Sequence, residues 1–153
     1  MPYCVIFIVI LLDQLTKLLV LKHFSDGSFI TVNSFFNLIL AYNPGVSFSL
    51  FSNNGPYNSV ILTTLALVIC LFLLRWMYQE TNPTLRFGIA LVVGGAIGNV
   101  IDRLAYGAVV DFLDFHAHGY HWPAFNVADS AICIGATLIL YKSFFNQKGK
   151  YHA

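Results

Sequence analysis

Four stretches of about 20 mostly apolar residues, at roughly 3–22, 57–77, 86–106 and 125–145, dominate this chain. A run of that length crosses the hydrocarbon core of a bilayer as a helix, because a helix satisfies its own backbone polar groups where no water can. Hydrophobic residues make up 58% of the 153 and charged residues only 10%, whereas a soluble domain carries about 25% charged residues. Most of the surface is therefore expected to face lipid, and the length suits a single integral-membrane domain over 1–153. Tyr3 to Leu12 has the look of a signal-peptide core, but no Lys or Arg precedes it. Asp13-Gln14 also stands where a small-residue cleavage site belongs, so a retained first span is expected.

The net charge of +1, with no basic run and no aromatic stacking platform, gives no reason to invoke nucleic acid. Cys4, Cys70 and Cys133 each sit in an apolar run without a CxxC pair, which predicts buried free thiols rather than a disulfide framework or zinc cluster. Between the first two spans the period changes. Phe29 to Val32, Phe36 to Tyr42 and Val46 to Leu50 are β-prone, with Asn33-Ser34 and Asn43-Pro44-Gly45 reading as turns. They predict a small sheet over about 29–51, outside the bilayer or at its surface.

Lys and Arg near the span ends set the orientation. Arg75, Arg86, Lys142, Lys148 and Lys150 fall on one side of a four-span topology, against Lys22, Lys17 and Arg103 on the other. Both termini are thus expected in the cytoplasm. In that arrangement Asp13 and Lys17, then Asn99, Asp102 and Arg103, then Asn126 and Asp129, collect from three helices near the outer leaflet. Four of the seven acidic residues, Asp102, Asp111, Asp114 and Asp129, lie between Gly94 and Asp129. Membrane solubility does not call for such a concentration, and two carboxylates brought together from separate segments are what an aspartic hydrolase needs.

Each polar group also has a plainer reading. Asp13 and Lys17, four apart on one helix face, form either a self-neutralising pair or a brace for a neighbouring helix. Gly94 and Gly98 form a GxxxG that lets another helix come close; Gly95, Asn99 and Arg103 follow at helical spacing, for structure or for holding substrate. Asn126 and Asp129 read equally well as a helix cap with its acid three residues on. Asp111 and Asp114 could be solvated loop carboxylates. His116, His118 and His121 with Asp114 are a conceivable metal cluster, but interfacial histidines beside Tyr120 and Trp122 are favoured, and no metal is expected.

Taken in order, Asp13-Gln14-Leu15-Thr16-Lys17, Asn43-Pro44-Gly45-Val46-Ser47-Phe48-Ser49, Gly94 through Arg103, Val109-Val110-Asp111-Phe112 and Phe125 through Ser130 resemble the bacterial lipoprotein signal peptidase family, signal peptidase II. The resemblance covers nearly the whole chain. It implies an all-α membrane fold with a small β element: four transmembrane helices, a periplasmic β-cradle and a short periplasmic helix, with 112–122 as a periplasmic loop. It further implies an aspartic endopeptidase of the inner membrane, without cofactor, acting on diacylglyceryl-modified prolipoproteins among membrane lipids; a monomer is expected. The family's catalytic pair falls on Asp111 and Asp129. Its supporting residues fall on Asp13, Lys17, Asn43, Gly45, Gly95, Asn99, Arg103, Asn126 and Ala128; nothing carries over to Asp114 or the histidines. A transporter relaying ions through Asp13, Lys17, Asp102 and Arg103 is the rival, but it needs ionisable residues through the membrane depth, and the middle of the second span has none.

Overall fold

A computed structural model describes residues 1–25, 28–45 and 58–148 of the protein. The helices are α1 (Pro2–His23), α2 (Asn58–Gln79), α3 (Pro83–Tyr106) and α4 (Val127–Lys148); the strands are β1 (Phe29–Asn33), β2 (Phe36–Asn43), β3 (Val109–Ala117) and β4 (Tyr120–His121). All four helices are long and apolar enough to cross a membrane. Caps decide where α3 begins and ends. Asn82 accepts from the N–H groups of Thr84 and Leu85 at 2.9 and 3.2 Å, with Pro83 in the first turn where its missing N–H costs nothing. Gly107, at φ +74°, closes α3 in a left-handed conformation that glycine adopts without strain.

Helix α3 is the interior element, packed against α1, α2 and α4. More than half of its apolar span is buried within the protein, whereas the other three helices turn most of theirs outward. Small residues make this possible. Gly94 lies against Val9 and the Ile6 carbonyl, and Gly98 against the Asp13 carboxylate, so the GxxxG ridge seats α1. Gly95, on the adjoining face, lies so close to α4 that a Cβ there would collide with the Ala128 carbonyl oxygen. The core between helices is built from Ile6, Cys70, Met77, Ile89, Ala90 and Val93. Only Cys70 fulfils the expectation of a buried thiol; Cys4 and Cys133 are free but exposed, on outward-turned helix faces.

The strands form one antiparallel sheet in the order β1-β2-β3-β4 at the end of the bundle. Asn33 Oδ1 accepts from Phe35 N–H at 3.0 Å and shapes the first turn. The third β-prone run, Val46 to Leu50, lies outside the described residues. Residues 112–117, expected in a loop, are instead part of β3, and among the described residues no helix occurs beyond the four long ones. The reason is that Val109, Val110, Leu113 and Phe115 pair with β2 and Phe112 packs on it, outweighing the two interspersed carboxylates.

One irregularity in that pairing positions the site. Leu38 opposes Leu113 and Ala41 opposes Asp111, so β2 carries one extra residue between them. Because strand side chains alternate between faces, the bulge switches β2 from one parity to the other. Phe36 and Leu38 share a face with Phe115 and Leu113; beyond the bulge Ala41 and Asn43 are on that same face, alongside Asp111.

Replacing Gly95 with alanine should force α3 from α4 and lower stability by at least about 1–3 kcal/mol. A lower melting temperature in detergent, with loss of any activity, is the expected result.

Candidate active site

Lysine at position 17 is 1% exposed, and its ammonium has three donors and no acceptor. All three are used. They reach Asp13 Oδ2 at 2.8 Å, Asp102 Oδ2 at 2.7 Å and Asn99 Oδ1 at 3.1 Å. The pair expected within α1 is therefore shared with α3. Two carboxylates around one ammonium leave excess negative charge, and neighbouring donors absorb it. Asp13 Oδ1 accepts from Ala128 N–H at 2.9 Å, at the start of α4, and Asp102 Oδ2 accepts from Val110 N–H at 3.0 Å, at the start of β3. Gln14 Nε2 reaches Asp13 Oδ2, Asp102 Oδ1 and the Gly98 carbonyl at 3.0–3.2 Å. Buried ions need this many partners.

The ammonium also sets the direction of the amides beyond it. Lys17 can only donate, so the Asn99 oxygen must face it and the Asn99 amino group must face away. That group donates to Asp129 Oδ1 at 2.8 Å. Asn126 is oriented by the same logic: its oxygen accepts from Asp129 N–H at 2.9 Å, which leaves Nδ2 to donate to Asp111 Oδ1 at 2.8 Å. Asn126 N–H in turn reaches Asp129 Oδ2 at 3.3 Å, completing a reciprocal cap on α4. Asn43 Nδ2, brought round by the bulge, donates to Asp111 Oδ2 at 3.1 Å, and Gly45 N–H holds the Asn43 oxygen at 3.1 Å. Each carboxylate of the pair thus has a donor on each oxygen.

The two acids differ in surroundings. Asp111 is 2% exposed, while Asp129 is half-buried beside an apolar cleft of about 410 Å³ walled by Trp122, Pro123, Phe125, Ile132 and Cys133. Burial, reinforced by the Asp129 charge, pushes the Asp111 carboxyl up to about 7 against the pull of its Asn43 and Asn126 hydrogen bonds.

Of the residues singled out from sequence, Asp13, Lys17, Asn43, Asn99, Asp111, Asn126 and Asp129 join this one network. Ala128 enters through its backbone N–H, Gly45 by orienting Asn43, and Gly95 by letting α4 come close. Arg103 feels the charges of Asp129 and Asp111 but makes no ion pair with either among the described residues, and its buried Nε has no partner there. Gln14 and Asp102, outside the positions that the family resemblance carries over, belong to the network as well. Gln14 lies one step from Asp13 and Asp102 one step from Arg103, and the contacts of Asp102 with Gln14 and Lys17 depend on how α1 seats against α3.

A family model described as signal peptidase (SPase) II matches residues 5–145. The chain belongs to that family. Curated relatives of the family include the lipoprotein signal peptidase of Ralstonia nicotianae, 52% identical over 132 residues covering 86% of this chain and 76% of the relative. The lipoprotein signal peptidase of Paraburkholderia phytofirmans is 51% identical over 146 residues, 93% of this chain and 83% of its own. Two solved structures of a bacterial membrane enzyme have the same architecture: TM-score 0.88 at 28% identity, over 99% of this chain and 92% of that one, and TM-score 0.81 at 29% identity, over 92% and 90%. Membership makes the chain a peptidase, with four apolar helices consistent with a bacterial inner-membrane enzyme.

The raised Asp111 has a consequence for stability. Its folded value lies above its unfolded one, so the stability it contributes is complete below about pH 4 and is lost as pH rises to about 7. Asp111→Asn, which cannot ionise, carries a constant cost where its amino group meets the Asn43 or Asn126 donor, but its melting temperature should rise relative to the parent protein as pH goes from 5 to 8. The scale is ~1.4 kcal/mol per unit of pKa difference, and melting curves across that range measure it.

Proposed function

We propose that the protein is an aspartic endopeptidase that removes the signal peptide of diacylglyceryl-modified prolipoproteins, cutting on the N-terminal side of the lipidated cysteine. The observation that carries this reading is the pairing of Asp111 and Asp129 through Asn126 and Asn99, with one acid placed to hold a proton near neutrality. Family membership and the names of the relatives supply the substrate class.

In this mechanism Asp129 is the base. It stands in the first turn of α4, at the positive end of the helix dipole, and accepts hydrogen bonds from the Asn99 side chain and the Asn126 N–H. It takes a proton from water as the water oxygen bonds to the scissile carbonyl carbon. Asp111, still protonated, hydrogen-bonds the developing oxyanion and then protonates the cysteine nitrogen as the C–N bond breaks. The pair ends with its one proton on Asp129, and returning it to Asp111 resets the site.

Several further parts of the reading rest on the same ground. The whole chain works as one domain and as a monomer, with both termini cytoplasmic, as its Lys and Arg distribution favours, and the acid pair near the periplasmic face. The substrate's acyl chains stay in lipid while its peptide lies along the sheet. Arg103, whose Nε lacks a partner among the described residues and which feels the charges of both acids, holds a peptide carbonyl.

Purified protein should cleave a diacylglyceryl-modified prolipoprotein and leave its unlipidated form intact. Asp111→Asn and Asp129→Asn should each reduce the rate by roughly 10²–10⁴-fold while remaining folded, and the parent's activity should fall as pH rises above about 7. Near-normal turnover in either variant would remove that residue from the pair.

A further inference from the structure

On the sheet face turned away from the acid pair, a second polar cluster has no part in the reaction described above. Asp114 is 5% exposed, and its carboxylate accepts from Asn37 Nδ2 on β2 at 2.8 Å and from His121 Nδ1 on β4 at 2.8 and 3.0 Å. Burial pushes this carboxyl upward, yet the hydrogen bonds from His121 and Asn37 outweigh it and hold Asp114 below the usual carboxylate range. The His116 and His121 rings stack at 5.0 Å.

What this cluster fastens is weakly held otherwise. Strand β4 pairs with β3 through only His116–His121 and Ala117–Tyr120. The turn between them places His118 and Gly119 at φ +51° and +82°, a conformation free of strain for the glycine and uncommon, though tolerated, for a histidine. Beyond β4 the chain runs back along β3 irregularly. Trp122 N–H reaches the Phe115 carbonyl at 2.8 Å and Phe125 pairs with Leu113, so three residue steps face two; Pro123, between them, has no N–H to give. The next residue is Asn126, whose amide meets Asp111.

We propose that Asp114 and His121 are positioning residues: their hydrogen bond latches the β3–β4 hairpin and thereby fixes where Asn126 meets Asp111. The latch lies at one end of an irregular stretch and Asn126 at the other, with the Phe115–Phe125 ring stack between. Releasing His121 lets the return segment shift along β3, and the misplacement falls on the donor to the protonated acid. The proposal rests on the peptidase reading for its kinetic consequence, but not for its structural one.

The test compares the parent protein with His121→Ala and His121→Asn by amide hydrogen exchange and by kinetics on a lipidated prolipoprotein. Asparagine puts an amide nitrogen where the ring Nδ1 stands. The alanine variant should exchange the amides of residues 122–126 at least about tenfold faster and lose kcat about tenfold, the equivalent of ~1.4 kcal/mol, with KM little changed. The asparagine variant should return both to within about twofold of the parent. Asp114→Ala, which removes the acceptor half of the same hydrogen bond, gives the same pattern by a second route should His121→Ala fold poorly. Unchanged exchange in the alanine variant would overturn the latch, as would equal impairment in both His121 variants or a rise in KM alone. Failure of the parent to cleave would instead count against the peptidase reading, because hydrogen exchange needs no substrate.

Discussion

An ammonium that can only donate, buried where water cannot help it, is the constraint from which the site's geometry follows. Lys17 needs three acceptors and finds them on two helices. Those acceptors are themselves ions or amides that need donors, and the donors stand at the start of β3 and the start of α4. One charge thus ties α1 to α3 and anchors the first residues of the two segments that carry Asp111 and Asp129. The close seating of the helices belongs to the same solution, because Gly98 against Asp13 and Gly95 against Ala128 leave no space for water between the partners. Removing one member of such a cluster leaves an unpaired buried charge, at a cost of about 3–5 kcal/mol. The Lys17 cluster is better understood as specifying a geometry than as adding net stability.

The asymmetry between the acids follows from where the chain puts them. Asp111 lies on β3, within the sheet and fully covered, and its negative neighbour adds to the burden of ionising it. Asp129 stands in the first turn of a helix, half open to a cleft. In the proposed mechanism this difference is what assigns two identical side chains to different roles. Capping and chemistry also turn out to be compatible. Asn126 and Asp129 form the reciprocal cap that one reading of the sequence foresaw, and the atoms left over from the cap reach Asp111 and Asn99.

The helices were legible because apolar length is a coarse signal, and Asn126 marks the start of the fourth. The first hairpin was legible from Phe29 to Tyr42, where β-prone runs flank Asn33. Strand β3 was not, since Asp111 and Asp114 interrupt its apolar pattern and its partner strand is some 70 residues away. The network's membership was visible mainly through resemblance. Spacing alone places Asp13 and Lys17 on one face, and cannot say that Asp102 and Gln14 complete them. The β2 bulge, on which the Asn43–Asp111 contact depends, leaves no mark in composition or period; it arises from matching two strands, each already fixed at its other end. The latch at Asp114 was hidden for the same reason, because Asn37 and His121 reach it across strands.

The proton on Asp111 is what the proposed chemistry needs most. Infrared difference spectroscopy of the protein in bilayers, titrated from pH 5 to 9, reads protonated buried carboxyls through their carbonyl stretch. A band that fades with a midpoint near 7 and is missing from Asp111→Asn, but present in Asp114→Asn, is what the account requires. A carboxyl band that survives Asp111→Asn unchanged, or no protonated carboxyl at pH 6, would contradict it.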